Sequence, residues 1–270
     1  NEKCPRLDKM SHWETSQIVP RKKEEKTLIY KEKFKIGLKD VWKGDEVSNI
    51  AILEYLENIA AYHSDSVGYG VKTTSETNLN WLLLDWKVKV LKRPKYGQVL
   101  EIHTWSKNIE KFYAYRDFEV YDDENNLCVI ATSKWLLVNS KTGKISRVDP
   151  KMAAKYESEP QKEVFKVDDL EKLKVPNNYE REIIYTVQRK DIDVIGHMHN
   201  LYYLSLAYEA LPEDVYNLRP FDNLRIMYKK EIKLGESVKC KYAFENEKHI
   251  AVIESEDSKT LHAIIELWIS

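Results

Sequence analysis

Between residues 29 and 39 apolar and charged positions alternate. IYKEKFKIGLK sets Tyr30, Glu32, Phe34, Ile36 and Leu38 on one face and Lys31, Lys33, Lys35 and Lys39 on the other. A period of two predicts a strand with one buried face and a lysine-coated outer one. The period then lengthens. In NIAILEYLENIAAYH (49–63) Ile50, Leu53, Leu56, Ile59 and Ala60 fall at helical spacing, which predicts a helix with one apolar stripe and Asn49 as its N-cap. Four long runs follow: WLLLDWKVKVLKR, QVLEIHTWSKNI, KFYAYRDFEVYD and LCVIATSKWLLVN. With turns expected at Lys95-Tyr96-Gly97 and Asp122–Asn126, they predict an antiparallel meander after one helix.

Residues 150–178 are rich in Lys and Glu, carry Pro150, Pro160 and Pro176, and lack sustained periodicity, so they read as a linker. The plan then repeats. REIIYTVQR (181–189) predicts a strand, NLYYLSLAYEAL (200–211) a helix, and NLRIMYKKEI, ESVKCKYAFE, HIAVIESE and TLHAIIELWI further strands. Asp40 and Asn49 recur as Asp191 and Asn200, both offset by 151 residues, and KYGQVLEI (95–102) recurs as KLGESVKC with Gly97 and Gly235 offset by 138. Extra chain in the first half, around VGYGVKTTSETN, accounts for the difference. Such self-similarity predicts two copies of one fold. A single helix laid on a single curved sheet leaves a sheet edge uncovered, and two units paired edge to edge cover it. The expected division is a polar N-terminal extension (1–24), a first domain (25–150), a linker (151–178) and a second domain (179–270).

Composition narrows the class. With 270 residues, 43% of them hydrophobic, and seven Trp, seventeen Tyr and six Phe, the chain is long and apolar enough to build a real core. A net charge of −1 excludes a global field for nucleic acid or an anionic membrane, so neither is expected as a partner. The clearest local bias is nine basic against four acidic residues over 21–43. Cys4, Cys128 and Cys240 are widely spaced with no CxxC pair, which suggests neither a disulfide framework nor a zinc knuckle and favours a reducing, cytoplasmic location. No apolar run approaches the ~18–20 residues of a membrane span. The opening NEKCPRLDKMSHWETSQIVP lacks the apolar segment of a secretory signal.

Four stretches, in order and spacing, resemble the acyl-acyl-carrier-protein thioesterases of bacteria and plant plastids. They are NLNWLLLDWKVKVLKRPKYGQVLEIHTW, SKWLLVNSKTGKISRV, DIDVIGHMHNLYYL and MYKKEIKLGESV, and the likeness covers roughly residues 25–270. The resemblance implies an α+β tandem (double) hotdog, each half a long helix packed on an antiparallel sheet. It also implies hydrolysis of a fatty acyl thioester of acyl carrier protein in fatty acid biosynthesis, without metal or organic cofactor. The family's loop pattern of Asp, any residue, Asn, any residue, His, with a Glu on a later strand, falls on Asp193, Ile195, His197 and Glu231. Ile195 departs from the pattern, leaving His199 or Asn200 as substitutes for the missing amide. Where the family has been discussed with a cysteine after the Glu, this chain has Ile232, which excludes a Cys–His nucleophilic mechanism there.

The residues themselves offer what a thioester needs for attack by water. Asp193 or Glu231 is the candidate base, or one carboxylate attacks the carbonyl directly, and His197 positions the water or relays its proton. Backbone N–H groups near 197–201, at the start of the predicted helix, are the expected oxyanion donors. Plainer roles stand beside these: Asp191 or Asp193 as a helix cap, His197 as a structural histidine, Glu231 facing solvent, and His197-Met198-His199 as only weak evidence for a metal. At the offset of 151 the first half has Trp42 for Asp193 and Glu46 for His197, so one active site is expected, with the first half supplying the acyl pocket. Trp81, Leu53 and Leu56 are the expected acyl contacts, and His199 and Asn200 the polar ones. Lys31–Lys43, Lys92-Arg93 and Lys229-Lys230 are candidate docking charges for a small acidic carrier protein. An acyl-CoA thioesterase using the same site, and a non-catalytic acyl-binding sensor, are the alternatives. Either a monomer or a homodimer is compatible with the duplication.

Overall fold

A computed structural model of the chain describes residues 29–165 and 170–269. The expected N-terminal extension, and Cys4 with it, lies outside the described residues. The elements run β1 (Tyr30–Lys35), α1 (Asn49–Ser66), α2 (Thr74–Thr77), β2 (Leu79–Val90), β3 (Val99–Glu110), β4 (Tyr113–Tyr121), β5 (Leu127–Asn139) and α3 (Pro150–Lys155). The second half gives β6 (Arg181–Thr186), α4 (Asn200–Ala210), α5 (Glu213–Asn217), β7 (Asn223–Tyr228), β8 (Ser237–Glu245), β9 (Lys248–Ser255) and β10 (Leu261–Trp268).

The ten strands among the described residues join one antiparallel sheet in the order β1-β3-β4-β5-β2-β7-β10-β9-β8-β6. Each half contributes five strands in the same relative order, so the order reads as its own duplicate about the β2–β7 seam. There Asp85 pairs with Met227 and Lys89 with Asn223. The seam joins what would otherwise be two open edges. Arg225 reinforces it from β7, donating to Asp85 Oδ1 at 3.1 Å and to the Trp86 carbonyl at 2.9 Å.

The two long helices lie against this sheet and share one core. Ile52, Leu53, Leu56 and Ile59 of α1 join Tyr203, Leu204 and Ala207 of α4 in a cluster that also takes Trp86, Phe118, Ile226 and Ile253 from the strands. Burying a Leu such as Leu56, which is fully inaccessible, contributes about 2 kcal/mol relative to leaving it exposed. A second, smaller cluster of Leu137, Val148, Met152 and Tyr156 lies in the first half.

Sequence and structure differ at several points. Ser48, not Asn49, caps α1, because its hydroxyl accepts from the Ala51 amide while Asn49 turns inward to donate to the Phe221 carbonyl. The first strand stops at Lys35. A 3₁₀ turn over Leu38–Asp40 follows and leaves Leu38 exposed while Ile36 is buried. The lysine face of that strand is as expected, with Lys31, Lys33 and Lys35 exposed. Within the stretch read as a linker, α3 folds back so that Met152 is buried and Tyr156, just after it, receives a hydrogen bond from the Trp81 indole at 3.0 Å.

Candidate active site

The loop before α4 is built by two aspartates with different tasks. Asp191 is buried. Its carboxylate accepts from the Gln188 amide at 2.8 Å, the Tyr185 hydroxyl at 2.5 Å and the Lys190 ammonium at 2.7 Å, and its carbonyl accepts from the His199 amide at 2.8 Å. Those donors favour the charged form, and the Asp191 pKa is lowered even though burial opposes it. Asp191 thus fastens the loop and does not cap the helix; the N-cap is His199, whose Nδ1 accepts from the Leu201 amide at 3.3 Å.

Asp193 sits at the turn itself. Its Oδ1 accepts from the amides of Ile195 at 2.9 Å and His197 at 3.1 Å, and its own amide donates to the His197 carbonyl at 2.8 Å. One carboxylate oxygen is therefore fixed by the loop, and no hydrogen bond among the described residues engages the other. Gly196 closes the turn with φ +91°, a left-handed conformation that a side chain would strain. His197 is half-buried and its imidazole has no hydrogen-bond partner among the described residues. Its backbone bridges to Lys233, and the next amide, Met198, donates to the Ile232 carbonyl at 2.8 Å. That pairing brings Glu231 alongside.

These residues line one open cavity of about 550 Å³, whose wall includes Asp193, His197, His199, Asn200, Glu231 and Trp81. A second, narrower cavity of about 120 Å³ lies wholly in the first half, between α1 and strands β2 to β5, walled by Ala60, Ala61, Ile109, Ala114 and Trp135 among others. The two share Val71, Asn80, Trp81 and Trp135. Polar loop and apolar cavity are thus neighbours across one wall.

Several expectations need correction. Glu231 is not on a strand: β7 ends at Tyr228, and Glu231 is exposed in the connection to β8. Leu53 and Leu56 line neither cavity, because both point into the core shared with α4 and are fully buried. The amides near 197–201 are not an open cradle. His197, Met198, His199 and Leu201 already donate to Asp193, Ile232, Asp191 and His199. Only the Asn200 N–H, first in the helix, takes no partner within this loop. Arg93 is not a surface charge either: its side chain is only 6% accessible and donates to the Val47 and Phe221 carbonyls and to Asn49 Oδ1. Lys92 is paired with Asp122 at 2.8 Å, whereas Lys229 and Lys230 remain exposed on the rim of the larger cavity. No group of three or more His, Cys, Asp or Glu side chains placed to hold a metal occurs among the described residues.

The model of the acyl-ACP thioesterase N-terminal domain matches residues 27–156, and that of the C-terminal domain matches 174–268. The chain belongs to the acyl-ACP thioesterase family. It is 24% identical to oleoyl-acyl carrier protein thioesterase 1, chloroplastic, of Arabidopsis thaliana, over 78% of this chain and 62% of that one. It is likewise 24% identical to the dodecanoyl-[acyl-carrier-protein] hydrolase, chloroplastic, of Umbellularia californica, over 76% and 56%. The matched region spans about three fifths of the length of these plant relatives. Among solved structures, an acyl-ACP thioesterase from Bacteroides thetaiotaomicron superposes with a TM-score of 0.79 at 18% identity, covering 89% of this chain and 97% of that one. The 12:0-ACP thioesterase from Umbellularia californica gives 0.79 at 19% identity, covering 91% and 98%. At these identities the likeness establishes the fold, a tandem hotdog of α+β class.

Ile195 and Ile232 stand where the resemblance led to the expectation of other side chains, and the structure places both. Ile195 is half exposed at the tip of the turn and contributes its amide to Asp193, so the loop holds its shape with isoleucine there. Ile232 is fully buried, its carbonyl tying the loop to the β7–β8 connection. One residue of the site escaped the sequence reading. Glu57, from the middle of α1, lines the narrow cavity, and its Oε2 lies 3.9 Å from His199 Nε2. Burial pushes its pKa up to about 8, with Glu54 and Asp193 adding to the rise and Trp86 opposing it. The signal was present. Glu57 follows Leu53 by four positions and precedes Ala60 by three, so a carboxylate stands within the apolar stripe of the helix.

Proposed function

We propose that this chain hydrolyses the thioester of fatty acyl-acyl carrier protein, releasing the free fatty acid and the carrier thiol, as a step of fatty acid biosynthesis. The observation that carries the reading is the convergence of Asp193, His197 and Glu231 on one cavity that shares a wall with an apolar one. The acyl chain occupies the apolar cavity of the first half, and its thioester carbonyl stands at the shared wall near Trp81 and Asn80. Asp193, held by two amides through Oδ1, keeps its second oxygen for the reaction. Water attacks the acyl carbon, its proton passing through His197 to the carboxylate. The tetrahedral intermediate then expels the thiolate, which takes that proton back. The Asn200 amide at the positive end of α4 receives the developing oxyanion.

Lys229 and Lys230 on the cavity rim favour an acidic carrier over a neutral surface. The test is thiol release by the purified chain from the same acyl group on carrier protein and on coenzyme A at equal concentrations. Faster release from the carrier is expected. A clear preference for coenzyme A moves the substrate to acyl-CoA, and tight acyl binding without release makes the chain a binding module.

A further inference from the structure

The duplicated halves have not lost the same groups. At the offset of 151 the second helix carries Tyr208 where the first carries Glu57, just as the first loop carries Trp42 and Glu46 where the second carries Asp193 and His197. Each half retains what the other lacks. The two retained sets meet in space, since Glu57 Oε2 approaches His199 Nε2 to 3.9 Å across the boundary between halves.

The environment of Glu57 is unusual for a carboxylate. Oε1 is inaccessible, and the Trp86 indole N–H, the donor that favours the ionised form, does not reach hydrogen-bond geometry with it or with any other group among the described residues. Oε2 forms no hydrogen bond among the described residues, and 14% of the side chain is accessible, at the wall of the narrow cavity. Facing it are Glu54 on its own helix, Asp193 and His199 from the loop, Tyr228 from β7, Arg116 and Tyr115 from β4, and Tyr156 beyond α3. An ionised carboxylate at such a place is disfavoured by burial and by two neighbouring carboxylates. His199 brings no positive charge to change that: Nδ1 accepts the Leu201 amide, which leaves a single ring proton on Nε2, and burial lowers its pKa. Near neutral pH Glu57 therefore carries its own proton and is a hydrogen-bond donor. The site is short of donors, since four of the loop amides are already engaged.

We propose that Glu57, in its protonated form, is a catalytic residue that donates a hydrogen bond to the thioester carbonyl oxygen as negative charge develops there, opposite the Asn200 amide. The inference rests on the thioesterase reading of the same site. No proton leaves Glu57 in this role; the bond to oxygen shortens in the tetrahedral intermediate and relaxes when the thiolate departs. Donation requires only a neutral group with a hydrogen on the right atom, so an amide of the same shape replaces the acid.

Steady-state hydrolysis across pH 6 to 10 by the wild-type chain, Glu57→Gln and Glu57→Leu tests this. Wild-type kcat is expected to fall above pH about 8 as the carboxyl ionises. Glu57→Gln keeps kcat within tenfold at pH 7 and loses that alkaline fall. Glu57→Leu, apolar and of similar size, lowers kcat by about 10²-fold with KM little changed. Equal loss in Gln and Leu variants overturns donation, because it makes the ionisable form essential. Near wild-type kcat in the Leu variant removes Glu57 from the chemistry, while absence of hydrolysis by the wild-type chain removes the thioesterase reading itself.

Discussion

The two loops that precede the long helices are nearly superimposable as hydrogen-bond diagrams and opposite as chemistry. In the first half Asp40 accepts from the Gly37 amide and the Tyr55 hydroxyl, and its carbonyl holds the Ser48 amide. In the second, Asp191 accepts from Gln188 and Tyr185, and its carbonyl holds His199. Val41 bridges Val47 as Ile192 bridges Met198, and Glu46 bridges Lys95 as His197 bridges Lys233. What fills the loop differs. Trp42, at the place of Asp193, is covered by the Arg219 guanidinium 3.6 Å from its ring and by Tyr216. Arg93, at the place of Glu231, is locked to backbone carbonyls on both sides of the β2–β7 seam. The first loop is plugged with packing residues, and the second leaves one Asp193 oxygen and the His197 imidazole without a hydrogen-bond partner among the described residues. One scaffold thus serves adhesion between halves in one copy and, in the proposed function, a reaction in the other.

That contrast is broken most severely at the proposed catalytic pair. Asp193→Ala and His197→Ala are each expected to lower kcat by about 10²-fold, measured as thiol release. Glu46→Ala, at the mirror place of His197, leaves kcat within twofold. Comparable losses from all three erase the distinction between the loops.

The next pair exchanges stability for rate. Arg93→Ala strands the Val47 carbonyl and Asn49 Oδ1 and leaves the Phe221 carbonyl with Asn49 alone, and is expected to cost about 2 kcal/mol in urea unfolding. Glu231→Ala, its exposed counterpart, leaves unfolding unchanged and lowers kcat. A smaller effect follows from the longer first helix, which adds His63 beneath the cavity, where it receives a hydrogen bond from Arg116 at 2.7 Å. Burial, and then the Arg116 charge, lower the His63 pKa to about 3. The folded state therefore binds this proton less readily than the unfolded chain. The His63 contribution is fully present above pH about 6.5, the ordinary value, and is lost as pH falls toward 3. Between pH 6.5 and 5.5 the loss is about 1 kcal/mol. His63→Gln removes that slope in urea unfolding at the two pH values; an unchanged slope assigns it to other groups.

The duplication was legible because its marks are local: the aspartate and asparagine spacing, the glycine turns and the alternation in each strand survive in both halves. So was the loop, since Asp193 and His197 stand four residues apart on a motif that folds on itself. Leu53 and Leu56 show where reading stopped. Helical periodicity marks an apolar stripe but does not say whether it faces a cavity or a second helix, and here α4 claims it. Glu57 was missed for the converse reason. A single acid in an apolar stripe becomes informative only when its neighbours from distant strands and from the other half are known. The amides at 197–201 follow the same rule, for their partners come from Asp191 and Ile232 as well as from the helix.

The central claim is that an acyl cavity in one half serves a reaction in the other, and chain-length selectivity tests it most directly. Ala61 lines the narrow cavity and lies outside the catalytic loop. Release rates from carrier-bound acyl groups of increasing length should change with Ala61→Phe: kcat/KM for long chains falls by at least about tenfold, the scale of one or two displaced methylenes, while short chains stay within about threefold. An unaltered length profile would contradict the account, because the chain would then lie elsewhere.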